Sequence, residues 1–197
     1  MPAHAGISGN PGISGGAGLA GGAGLLGTVE AFDQAVERVV DRLRTPLLDH
    51  VMYALSSAAD HSILWHAVGA ARGVRQRSLA PVRRLSKILA VESALTNGPV
   101  KLLFSRVRPE RPAEREGEAL PYGLRVPITS SFPSGHATSA FCAATVLAED
   151  GHAIGWYGLA TFVAMSRIYV RLHHASDVVA GAAFGVALGA VLRRLIR

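Results

Sequence analysis

The residues able to do chemistry fall into three polar clusters, set among apolar stretches in the second half of the chain. The run from Ser166 to Asp177 holds Arg167, His173, His174 and Asp177. His173 and Asp177 are four apart, so on a helical turn Asp177 would accept the Nδ1–H of His173. That would fix the tautomer and leave Nε2 as a free nucleophile. His174, three residues before Asp177, is the less direct rival. Arg167 offers a planar, two-pronged donor suited to phosphoryl oxygens.

A second cluster, Ser131 to Ser139, contains Pro133, Ser134, Gly135 and His136. Pro133 at a first helical position, with Ser134 and Gly135 beside it, describes a helix start whose backbone N–H groups are free to bind an anion. Gly135 lets the anion come close, and His136, one residue inside, could hand over a proton. The third cluster runs from Lys101 to Arg108 and Pro109. The two cations are seven apart, two turns along one face of a helix that Pro109 would end. They could serve the helix dipole or clamp an oxyanion. Alone, each cluster also reads as ordinary capping or dipole pairing. Together they supply cations for the equatorial oxygens, an in-line nucleophile and a leaving-group acid. That is an inventory for phosphoryl transfer with no metal and no cofactor.

These groups need elements to hold them. The 197 residues suffice for one domain, with 49% hydrophobic and 17% charged residues. Soluble domains average roughly 25% charged, so the shortage of charge points to surface placed in lipid. The net charge of +6 calls for an anionic partner: a lipid headgroup or a phosphorylated substrate. Nucleic acid is disfavoured, because no stacking aromatics interleave with the basic residues. The single cysteine, Cys142, excludes an internal disulfide and reads as a small core residue.

Residues 1–27 are Gly-rich and read as a flexible tail without a secretory signal, leaving 28–197 as the folded domain. Val29, Phe32, Val36, Val39, Val40 and Leu43 recur at helical spacing, predicting an amphipathic helix over 28–44 that lies on the membrane or packs on the bundle. A short helix over 47–59 follows. His4 reads as idle, and His50, His61 and His66 as satisfied interfacial histidines. Six basic residues without an acid lie between Arg72 and Lys87. Apolar stretches then run over 88–104, 138–148, 153–165 and 178–192. Against the ~20 residues of a full span these are short, which is acceptable where helix ends line a polar site. The predicted fold is an all-α, multi-span transmembrane bundle.

In this order, Lys101-x6-Arg108-Pro109, then Pro133-Ser134-Gly135-His136, then Ser166-Arg167-x5-His173-x3-Asp177 resembles the complete three-part signature of the type 2 phosphatidic acid phosphatase (PAP2) superfamily. The match spans residues 101–177. The resemblance implies a helical membrane phosphatase whose pocket opens at the membrane interface. Lys101, Arg108, Ser134, Gly135 and Arg167 would bind phosphate, and His173 would form a phosphohistidine. His136 would protonate the leaving group and Asp177 would orient His173. The expected partners are membrane lipid and a lipid phosphate, with another membrane enzyme of the same pathway or a second copy as protein partners. Small size and an Ala/Gly/Arg-rich composition resemble short actinobacterial members. They favour a polyprenyl-linked cell-envelope precursor of the decaprenylphosphoryl-5-phosphoribose type. Phosphatidic acid, phosphatidylglycerophosphate and undecaprenyl pyrophosphate are the alternatives.

If helices run over 84–104, 134–148, 153–167 and 177–193, the three clusters share one face of the membrane. The opposite face then carries nine basic residues against eight on the site face. Positive-inside therefore places the site outside the cytoplasm of a plasma-membrane protein, by a narrow margin. Two rivals remain: a soluble vanadate-dependent haloperoxidase with the same anion-binding signature, and a non-catalytic membrane assembly partner.

Overall fold

The computed structural model describes residues 17–111, 124 and 127–196. Among them there are helices and no strand, so the all-α expectation holds. Helix α1 runs Ala17–Arg42. Of the tail expected over 1–27, residues 1–16 lie outside the described residues, and residues 17–27 are helical rather than irregular. Each Gly costs a helix about 1 kcal/mol relative to Ala, but Ala and Leu are interspersed with them and no proline intervenes. Extension from an existing turn is far easier than nucleation. Asp33 and Val40 form the buried edge of α1, while Phe32, Val39 and Leu43 stay exposed.

Helix α2, Pro46–Ala58, starts on a proline, and the Thr45 hydroxyl accepts from the Leu48 N–H at 3.2 Å. A tight 3-10 turn over Asp60–Ser62 leads into α3, Ile63–Gln76. Helix α4, Ala80–Leu95, continues as a π turn over Thr96–Val100. There Gly98 leaves helical geometry (φ −90°, ψ −108°) and Pro99 lacks the N–H a ladder needs. Helical structure therefore ends at Leu102, well before Pro109. Lys101 and Arg108 do not share a helical face; Arg108 lies in the irregular segment after it.

Three helices finish the chain: α5 Gly135–Leu147, α6 Ala153–Tyr169 and α7 Ala175–Leu195. Helix α5 is central, with Ala137, Ala140, Cys142, Ala143 and Ala144 fully buried. It lies against α7 along Gly181, Gly185 and Gly189, one per turn. A Cβ at Gly181 would fall 2.6 Å from the Ser134 carbonyl oxygen, and one at Gly189 2.8 Å from Thr145 Cβ; at Gly185 it would collide with the Thr138 carbonyl. Only glycine lets the two backbones approach so closely.

One core joins Trp65, Ile88 and Leu89 to α5, Val163 and Leu192. A second, under the site, joins Val40, Met52, Ala137, Ile168 and Leu172. Among the described residues only α7, at 21 residues, is long and apolar enough to cross a membrane. Helix α5 has 13 residues and α6 has 17. The large apolar side chains Ile154, Phe162, Val179 and Val191 nonetheless face outward on α6 and α7.

Candidate active site

Both α5 and α7 begin at one cleft of about 740 Å³, whose lining includes Asp60, Lys101, Thr129, Gly135, His136 and His173. His173 sits in the short connection between α6 and α7 and is 2% exposed. Its Nδ1 lies 2.7 Å from the Ser131 carbonyl oxygen. A carbonyl can only accept, so Nδ1 carries the proton and Nε2 is the ring's acceptor. Nε2 faces Arg108 Nη1 at 3.3 Å. Burial pushes the imidazole pKa down to about 3, so the ring is neutral at physiological pH.

The expected hydrogen bond from His173 to Asp177 is replaced by this carbonyl contact, with Asp177 Oδ2 at 3.8 Å from Nδ1. The cause is local. Residue His174 is extended (φ −71°, ψ 159°) and α7 starts only at Ala175, so the four-residue spacing crosses a helix cap instead of following a turn. Asp177 accepts from the His174 N–H at 2.9 Å as part of a capping box. Its other oxygen takes Arg106 Nη1 at 2.6 Å. Arg106 Nη2 reaches Asp33 Oδ2 on α1 at 2.6 Å, and Asp33 also accepts from the Ser176 N–H and hydroxyl, both at 2.8 Å. An Asp33–Arg106–Asp177 bridge thus ties α1 to the start of α7.

His174 turns the other way. Its ring nitrogens lie 3.2 Å from Glu37 Oε1 and 3.3 Å from the Val107 carbonyl oxygen, which removes it as a rival nucleophile.

Ser134 caps α5: its hydroxyl accepts from the Ala137 N–H at 3.4 Å, and its own N–H donates to the Asp177 carbonyl at 3.0 Å. A Cβ on Gly135 would lie 3.3 Å from Asn97 Oδ1 and 3.8 Å from Lys101 Nζ, so the glycine keeps this wall of the cleft low. Lys101, past the end of α4, reaches Thr129 Oγ1 at 3.4 Å. Burial, then the nearby Arg108 and Arg167 charges, push its ammonium pKa down to about 8. Arg108 is held by backbone carbonyls of Leu172 at 2.6 Å, Thr129 at 3.1 Å and Pro127 at 3.2 Å. Arg167 is 1% exposed and donates Nη1 to Ser56 through both its hydroxyl and its carbonyl. Its buried Nε has no hydrogen-bond partner among the described residues, an unsatisfied donor of a kind that is rare in folded proteins.

His136 brings in a residue that the spacing rules did not single out. Its Nε2 lies 2.8 Å from Asp60 Oδ1. Asp60, Arg106 and Asp33 were all missed, because each pairs across more than 70 residues of sequence. The only hint was a buried-edge acid at Asp33, in register with Val36 and Val40. Two histidines expected to be merely interfacial, His61 and His66, also line the cleft, and His66 Nδ1 lies 3.0 Å from Ser86 Oγ.

An all-α bundle whose cations and histidines converge on one cleft belongs among the helical phosphoric monoester hydrolases. The family model described as the PAP2 superfamily matches residues 83–197, and the chain belongs to that superfamily. It is similar to the decaprenylphosphoryl-5-phosphoribose phosphatase of Mycolicibacterium smegmatis, with 33% identity over 65% of this chain and 68% of that protein. The protein of the same name from Mycobacterium tuberculosis is 32% identical over 70% of this chain and 75% of its own length. A lipid A 1-phosphatase of Porphyromonas gingivalis is 36% identical over 51% of this chain and 21% of that protein. Among solved structures, a transmembrane PAP2-type phosphatidylglycerolphosphate phosphatase from Bacillus subtilis shares the fold. Its TM-score is 0.67 at 23% identity, covering 85% of this chain and 86% of that one.

Proposed function

We propose that this chain is a membrane-embedded lipid phosphate phosphatase that hydrolyses a phosphomonoester through a phosphohistidine on His173, without a metal. The observation that carries the reading is the His173 ring. Nδ1 donates to the Ser131 carbonyl, which leaves Nε2 unprotonated, its lone pair accepting from Arg108 Nη1 at 3.3 Å until a phosphate oxygen takes that donor. Phosphate bound by Lys101, Arg108, Arg167 and the Ser134–Gly135 helix start would present its phosphorus to that lone pair. Three cations around one cleft repel a divalent metal and do the same neutralising work. Asp177 supports the site electrostatically and by fixing the turn that carries His173. His136 protonates the departing alkoxide.

Lipid is supported by the rim. Ile128 on the cleft and Val107 in the adjoining pocket that shares Ile128 are more than three-quarters exposed, as are Leu102 and Leu103 next to Lys101 in the chain, an apolar fringe suited to an acyl or prenyl chain. We read α4 to α7 as spanning the plasma membrane, with the cleft at the interface and on its extracytoplasmic side by the positive-inside count. A polyprenyl-linked sugar phosphate of the decaprenylphosphoryl-5-phosphoribose type is the favoured substrate. It rests on the two mycobacterial relatives, each matched over more than two-thirds of its length.

Purified protein in detergent should release phosphate from a polyprenyl phosphosugar faster than from glycerolipid phosphates, with activity unchanged by EDTA. His173→Ala should abolish turnover. Full activity in that variant, or its loss in EDTA, would sink the mechanism; equal rates across the lipid panel would sink the substrate assignment.

A further inference from the structure

The signature accounts for the phosphate and the nucleophile, but the group that holds the leaving-group acid lies outside it. Asp60 precedes the region matched by the family model and sits in the turn between α2 and α3. His136 lines the cleft, and its Nε2 is 2.8 Å from Asp60 Oδ1. The same oxygen lies 3.8 Å from Arg167 Nη1. Burial raises the Asp60 carboxyl pKa, but the hydrogen bond and charge of His136, with Arg167, outweigh it and hold the group below its ordinary range. Asp60 therefore stays ionised. An ionised carboxylate only accepts, so the proton between them belongs to His136 Nε2. The ring atom left for exchange with substrate is Nδ1.

The backbone is built for this contact. His61 and Ser62, directly after Asp60, both adopt left-handed geometry (φ 51° and 60°). Non-glycine residues rarely hold that conformation, and two in succession turn the chain sharply from α2 into α3. Asp60, His61 and Ser62 all face the cleft as a result.

We propose that Asp60 is the positioning residue of the leaving-group acid, fixing the tautomer of His136 and stabilising its imidazolium. This rests on the phosphohistidine reading above. As the His173 Nε2–P bond forms, the P–O bond to the alkyl group breaks and its electron pair goes to the alkoxide oxygen. That oxygen takes the Nδ1 proton of His136 in its imidazolium form, leaving the ring neutral with its Nε2–H still paired to Asp60. Water then attacks phosphorus and gives a proton back to Nδ1, and the P–N bond breaks with its pair returning to His173. Asp60 stays ionised throughout, paired to the Nε2–H.

The test separates leaving groups. Wild type, Asp60→Asn, Asp60→Glu, His136→Ala and the Asp60→Asn/His136→Ala double variant are assayed in micelles. The substrates are dodecyl phosphate, whose alkoxide needs a proton, and 4-nitrophenyl phosphate, whose phenolate does not. General acid catalysis contributes ~10²–10⁴-fold. Asp60→Asn should therefore lose on the order of 10²-fold in kcat on the alkyl ester while the aryl ester loses less than about threefold. Asp60→Glu should recover part of the alkyl rate, and the double variant should be no slower than His136→Ala alone. An equal loss on both esters would make Asp60 merely structural and overturn the proposal, as would an unchanged alkyl rate. If wild type turns over neither ester, the phosphatase reading falls and takes this one with it. If wild type turns over both and Asp60→Asn matches it, only the role of Asp60 falls.

Discussion

Replacing Arg106 by methionine tests how the surroundings of His173, the proposed nucleophile, are built. The guanidinium lies 2.6 Å from Asp177 Oδ1, 2.6 Å from Asp33 Oδ2 and 2.7 Å from Ser176 Oγ. The Asp177 side chain is 0% exposed and that of Asp33 4%. Methionine keeps most of the stem's packing but strands two buried carboxylates. Removing one partner of a buried pair costs about 3–5 kcal/mol. At roughly 2–4 °C per kcal/mol for a chain of this size, the melting midpoint in detergent should fall by roughly 6–20 °C. Turnover should fall with it, because Asp177 loses the group that fixes the carboxylate 3.8 Å from the His173 ring. Adding Asp33→Asn should restore part of the midpoint by removing one stranded charge, a coupling that independent sites would not show. A midpoint for Arg106→Met within about 2 °C of wild type, or no recovery in the double variant, would refute the bridge.

Two further outcomes follow from the packing and the buried imidazole. Gly185→Val should destabilise the fold by at least about 1–3 kcal/mol through overpacking, since the new Cβ collides with the Thr138 carbonyl. Gly27→Val, with open space around it, should leave the thermal midpoint nearly unchanged, and similar midpoints for the two variants would contradict the seam. The pH dependence comes from His173, whose folded pKa of about 3 lies below the unfolded value of about 6.5. Between those values the unfolded chain binds the proton and the folded chain does not, so stability falls as pH falls from about 6.5. Thermal midpoints between pH 7 and 4 should slope less steeply in His173→Asn; identical slopes would show that the ring is not buried neutral.

Much of the site could be read in the sequence because polar residues in an apolar bundle need a reason. Lys101, Arg108, Ser134, Gly135, His136, Arg167 and His173 announce themselves that way; Lys101, Gly135, His136 and His173 line one cleft, and Arg108 reaches His173 Nε2 at 3.3 Å. The helix start near Gly135 was legible because its signals act locally, though Ser134 is the cap and Pro133 lies before the helix and not at its first position. The His173–Asp177 geometry was not, because spacing rules assume a continuous helix and His174 is extended there. Nor could spacing show that Gly98 and Pro99 would end the helix before Arg108. Asp60, Arg106 and Asp33 stayed hidden for a different reason: their partners lie on distant helices, and an isolated acid or arginine in an amphipathic stretch looks like a solvated one. That α1 begins as early as Ala17 was not legible, because composition alone cannot weigh glycine's penalty against extension of a helix already formed.

The glycine seam between α5 and α7 has a bearing on substrate range. One wall of the cleft comes from the start of α5 and the other from the loop that begins α7, and the seam presses these helices backbone to backbone at Gly181, Gly185 and Gly189. With no side chain on the α7 side and only Ala137, Thr138 and Thr145 facing it from α5, rotamer changes can do little to widen the gap. The half of the cleft proposed to hold phosphate is therefore a fixed gauge. Any adaptation to a bulkier or differently shaped headgroup must be absorbed by the opposite bank, where His61, His66, Ser86 and Ser93 line the cleft on α3, α4 and the turn before them. The two banks divide the labour: one is machined to a dimension, and the other is free to be recut.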